Sequence, residues 1–169
     1  MSGLDAEIER HIPALRRYAW ALLRNQDAAD DLVQDCLERA LGRWRLRQRD
    51  ADLRAWLFTI LRNLFLNKIR QQGRRGAPVE FQETDGHTSF DGDGERALAG
   101  RDALQALNAL SEEQRSLLLL IAVEDFSYQE AADLFGVPLG TIMSRLSRAR
   151  AELRKLIETG ARVTLRRVK

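Results

Sequence analysis

Thr141, Ser144, Arg145 and Arg148 recur at the three- and four-residue spacing of one helix face. Hydroxyls and guanidinium groups in that arrangement suit phosphate oxygens and base edges. They lie in SYQEAADLFGVPLGTIMSRLSRAR, residues 127–150. Ser127 followed by Glu130 is a capping box, which predicts a helix start. Ala131 and Ala132 are small enough for a second helix to come close, and Gly136 is placed to end the first helix in a left-handed turn. Val137, Ile142 and Leu146 then form the apolar underside. An ordinary helical hairpin with a solvated basic face would carry the same charges. Capping, small residues, glycine and arginines agree in order, however, and point to a DNA-binding helix-turn-helix. Just upstream, Ser111 with Gln114 makes another capping box, and Leu117, Leu118, Leu120 and Ile121 predict a helix packed beneath the motif.

A second group of polar residues lies in the first half. Ile8, Ile12, Leu15, Tyr18, Ala19 and Leu22 predict a helix, with Pro13 as an early kink. Asn25-Gln26-Asp27 interrupts it and can cap the next. Asp27, Asp30 and Asp31 are expected in that helix's first turn, where its dipole favours negative charge. Leu32, Val33, Cys36, Leu37, Ala40 and Leu41 supply its buried side, up to Gly42. A short basic connection, 43–52, leads to a helix over 53–72. Leu53, Leu57, Ile60, Leu61 and Leu64 mark its core side; Thr59, Arg62, Asn63 and Arg70 lie roughly opposite, with Trp56 near the border.

A chain of 169 residues with 44% hydrophobic content can fold as one domain or two small ones. The single Cys36 excludes an internal disulfide framework and fits a reducing compartment. No stretch is apolar enough to span a bilayer, and the start lacks the apolar run of a secretory signal, so the expected location is cytoplasmic. The net charge of +2 divides into +5 over residues 1–78, −5 over 79–100 and +2 over 101–169. Two basic blocks flank an acidic bridge at 73–96, rich in glycine and without helical period. The expected fold is all-α. Two small helical domains, 1–75 and 101–169, are joined by a flexible acidic linker, 76–100. His11 and His87 stand alone, and neither a glycine-rich phosphate loop after a strand nor a nucleophile motif occurs. No enzyme, metal site, cofactor or small-molecule substrate is expected.

DAADDLVQDCLERAL (27–41) followed by LRAWLFTILRNLFLNKIR (53–70) resembles conserved region two of bacterial sigma factors, and 127–150 resembles their region four. With these two modules alone, the chain is similar to the extracytoplasmic-function (ECF) sigma factors, over about residues 8–72 and 101–158. LRAWLFTILRNLF further resembles general-stress members from proteobacteria. The resemblance implies a factor that binds core RNA polymerase, recognises the −35 and −10 promoter elements and starts transcription of a stress- or signal-responsive regulon. It implies that Asp30, Asp31, Gln34 and Asp35 dock on the polymerase clamp, where acids can pair with arginines. It further implies that Arg45, Arg47, Arg49, Trp56, Arg62, Asn63 and Arg70 melt and read the proximal element, with Trp56 the weaker candidate, since a tryptophan beside a core stripe is more often part of the core. Thr141, Ser144, Arg145 and Arg148 would read the distal element. The linker would thread through polymerase channels later filled by RNA, and an anti-sigma protein would hold the factor in reserve. Pro138 stands where a serine commonly caps the reading helix, and Met143 where a lysine is common. The alternative is a stand-alone helix-turn-helix regulator with an N-terminal sensor or interaction domain. Polymerase binding separates the two, since only a sigma factor requires it.

Overall fold

The computed structural model describes residues 3–47, 51–75 and 94–167, with the backbone alone for 94–98 and 161–167. Every regular element among them is helical: α1 (Gly3–Glu9), α2 (Ile12–Leu23), α3 (Gln26–Gly42), a 3-10 turn (Trp44–Leu46), α4 (Leu53–Arg74), α5 (Gly94–Ala109), α6 (Glu112–Ala122), α7 (Tyr128–Phe135) and α8 (Leu139–Arg167).

Local chemistry sets most of these boundaries. The first helical stripe is two helices and not one kinked helix. Pro13 lies in the first turn of α2, where its missing N–H costs nothing, and the chain breaks at Arg10–His11. Arg24 ends α2 in the left-handed region, φ 52°, with its N–H returned to Trp20 O. Asn25 caps α3, its side-chain oxygen accepting from Ala28 N at 2.9 Å. Because α3 starts at Gln26, only Asp27 occupies the first turn, and Asp30 and Asp31 lie further along. Asp52, Ser111 and Ser127 cap α4, α6 and α7 by accepting from Arg54, Gln114 and Glu130 N–H groups. Gly136 takes the left-handed turn at φ 66°, and Val137 N–H returns to Ala132 O at 3.1 Å. Pro138 presents its carbonyl to the N–H groups of Thr141 and Ile142 as α8 begins.

The acidic bridge differs in extent from the expectation. Its ends are helical, since α4 runs to Arg74 and α5 begins at Gly94; residues 76–93 lie outside the described residues, as does Arg49 in the basic loop. Leu41, expected inside, is 49% exposed at the end of α3.

The core has two centres. One joins Leu15, Tyr18, Leu22, Leu32, Cys36, Leu57, Phe58 and Phe65 to Leu119, Leu120, Phe126 and Leu134. The other gathers Leu110, Leu117, Leu118, Ala131, Ala132, Ile142 and Leu146 beneath the helix-turn-helix. Thus α6 is sandwiched, and the first core crosses from the N-terminal half into the C-terminal half.

Two outcomes follow. A Cβ on Gly136 meets nothing within 4 Å, so Gly136→Ala suffers only the backbone conformation, a loss of about 1 to 2 kcal/mol seen as a lower melting temperature. Cys36 donates to Leu57 O at 3.4 Å, and burial pushes its thiol up to about 12. A thiol reagent at pH 8 should therefore label the chain only after denaturation; rapid labelling of the native protein would contradict this packing.

Candidate functional site

Three polar surfaces emerge, built on α3, on the α3–α4 groove and on α8. On α3, Leu32, Val33 and Cys36 face inward, which turns Asp31, Gln34 and Asp35 to solvent. Asp31 and Asp35 stand one helical turn apart, and Gln34 Nε2 donates to Glu38 Oε1 at 3.2 Å. Asp30 differs from them. It accepts from Arg16 Nε and Nη2 at 3.2 and 3.1 Å and from Gln26 Nε2 at 3.2 Å, so it is already engaged within the chain. The Arg16–Asp30 pair is exposed on both sides, which limits it to about 1 kcal/mol or less.

Where α3 ends beside α4, Arg39, Arg43, Asn63, Asn67 and Arg70 surround a cleft of about 310 Å³, with Ile60 and Leu66 as its apolar lining. The groove brings together Asn63 and Arg70 of the expected set. It adds Arg39, Arg43 and Asn67, which were missed. All three had a signal: Arg39 in the last turn of α3 and Arg43, its C-cap, are four apart, and Asn67 lies one turn beyond Asn63 on α4.

The rest of the proximal set divides. Arg45 is exposed. Arg47 braces its own loop, donating from Nη2 to Ala51 O at 2.8 Å with its guanidinium 5.0 Å from the Trp44 ring. Trp44 meets Trp56 edge-on at 6.1 Å, and Trp56 is half-buried, packed against the first core. Arg62 corrects the sequence reading. It is 8% exposed and not on an open polar face, because α7 packs across α4 and sets the Phe135 ring 3.7 Å from the guanidinium. Burial lowers its pKa, and its Nε has no hydrogen-bond partner.

On α8, Ile142, Leu146 and Ala149 are buried in the second core. Ser144 and Arg148 are exposed, Thr141 and Arg145 half-exposed. Arg145 Nη1 donates to Glu113 Oε1 of α6 at 2.6 Å, so one of the four expected readers is tethered. Met143 is 52% exposed on the same helix.

Residues 8–62 match the family described as Sigma2 domain of PhyR, and residues 101–153 match Sigma-70, region 4. The chain is 41% identical over 159 residues to the ECF RNA polymerase sigma factor EcfG of Rhodopseudomonas palustris (strain TIE-1), covering 92% of this chain and 85% of that one. The sigma factor RpoE of Bartonella quintana, solved in complex with the anti-sigma factor NepR, has a TM-score of 0.77 and 37% identity; the match covers 94% of this chain and 98% of that one. The PhyRSL–NepR complex from Sphingomonas sp. Fr1 gives a TM-score of 0.65 at 27% identity, over 93% and 90% of the two chains.

The chain belongs to the ECF RNA polymerase sigma factors. It is an alternative sigma factor, which binds core RNA polymerase, recognises the −35 and −10 promoter elements and initiates transcription; the stand-alone regulator is not favoured. No helix among the described residues is long and apolar enough to cross a membrane.

The tether on α8 yields a test. If Arg145 contacts DNA, it must leave Glu113, and an exposed pair of this kind resists by about 0.2 to 1 kcal/mol. Glu113→Gln should then tighten holoenzyme binding to the distal element by up to about fivefold. Weaker binding would mean that Glu113 aims Arg145 instead of restraining it.

Proposed function

We propose that α3 and α4 act as one unit with two ends. The outer face of α3, Asp31, Gln34 and Asp35, docks on core polymerase, while Asp30 holds α2 and α3 together through Arg16. The cleft at the far end receives the unpaired strand of the proximal element. Its composition carries this reading: three guanidinium groups suit phosphates, and two amides suit the edges of a base that has left the stack. Residues 1–75 thus form the polymerase-binding and melting half. The half beginning with α5 reads the distal element through Thr141, Ser144, Arg145 and Arg148. The relative solved with NepR supports an anti-sigma protein as the restraining partner; a regulon responsive to stress or another signal and residence in the cytoplasm belong to the same reading.

Two experiments test the two ends. Asp31→Lys with Asp35→Lys should weaken core polymerase binding by about tenfold or more while circular dichroism stays helical. Full affinity in that variant would move the dock elsewhere. Asn63→Ala should retain polymerase binding yet lower abortive RNA synthesis from a duplex promoter. A template already unpaired across the start region should restore most of it, because the unstacking cost has been removed. An equal deficit on both templates would make Asn63 a structural residue.

A further inference from the structure

Ile142, Leu146 and Ala149 fix the buried direction of α8. At 3.6 residues per turn, Ser144, Ser147 and Arg148 lie away from that direction, and all three are exposed. The outward face has two unlike flanks. On one, Arg145 is held by Glu113. On the other stand Leu139 and Met143, one helical turn apart and 39% and 52% exposed. Neither is among the residues of the two cores. Arg150 continues this second flank, and its Nη1 donates to Tyr128 Oη at 3.3 Å, which ties the flank to the start of α7. An apolar edge therefore borders a face made of hydroxyls and guanidinium groups.

In a helix-turn-helix, the N-terminal residues of the second helix reach the base edges. Because α8 begins at Leu139, Met143 falls at that depth, beside Ser144, while Arg148 and Arg150 follow more than a turn later. The major groove offers such a residue one apolar group, the C5 methyl of thymine; the other edge groups that distinguish the bases donate or accept hydrogen bonds. A thioether is a weak acceptor and no donor, so it gains little from a guanine or adenine edge. Its flexible, polarizable chain does fit against a methyl group. We propose that Met143 is a specificity-determining residue for the distal element and packs on a thymine methyl. Ser144 and Arg148 then hold the polar groups around it.

This inference rests on α8 being the distal reader, and one series of binding measurements separates the two. Holoenzyme is bound to a promoter duplex in which each thymine of the distal element, on either strand, is replaced in turn by deoxyuridine. That change removes only the methyl. At one position the parent should bind about fourfold more weakly, the worth of one buried methyl or methylene group. Met143→Ala should bind the unmodified duplex more weakly by a similar factor and lose nothing further at that deoxyuridine. Met143→Leu, apolar and close in volume, should keep the methyl sensitivity. Met143→Lys should lose it and steepen the fall of log affinity with log salt by about 0.9, one added phosphate contact. Equal deoxyuridine effects in the parent and Met143→Ala would give the methyl to another residue. No effect at any thymine would leave Met143 to a contact with protein. Either result overturns the proposal. An Arg148→Ala holoenzyme that binds the distal element as the parent does would instead overturn α8 as its reader.

Discussion

Five residues, Val123 to Ser127, decide where everything else sits. Val123 and Glu124 N–H groups both return to Leu119 O, and Phe126 N–H returns to Leu120 O at 3.0 Å, which winds the chain tightly off the end of α6. Ser127 then caps α7 and so fixes the entry to the helix-turn-helix. The same turn points Glu124 at Arg17 and Phe126 at Phe58. A change in its backbone therefore alters both the seating of the DNA-reading motif and the contact between the halves.

The contacts at this seam differ in weight. Burying a phenylalanine contributes about 1.5 to 3 kcal/mol, and the ring packing with Phe58 adds up to about 1.5 kcal/mol. The buried pair contributes less than its geometry implies, since desolvating a carboxylate cancels most of the Coulomb gain. Its effect is selective. Phe126 and Leu134 could pack on many apolar surfaces, but Glu124 is tolerated in only the one docking that brings Arg17 over it. Apolar burial holds the halves together; the ion pair chooses how.

Elements governed by neighbours in sequence were legible, because caps and turns act over three or four residues. Ser111, Ser127, Gly136 and Asn25 each occupy the place their chemistry indicates. Contacts between distant segments were not. Periodicity assigned Arg62 to a polar face, since nothing local reveals that Phe135 will cover it. The run Leu117–Leu120 did hold a signal. Four consecutive apolar residues wrap most of a helix, and all four are buried, Leu117 and Leu118 in one core and Leu119 and Leu120 in the other. A helix apolar on both sides demands two partners, and the second partner was the N-terminal half. In the α3–α4 groove, Asn63 and Arg70 were found from one helix alone. Arg39 and Arg43 needed the packing of two.

Arg62 links the seam to the groove. It precedes Asn63 on α4, so the residue beside the cleft is the one whose guanidinium lies under Phe135. Here it is unsuited to a phosphate, being desolvated with its Nε unpaired. Its burial therefore sets it apart from the exposed cations of the groove. Its guanidinium stacks on the Phe135 ring at 3.7 Å.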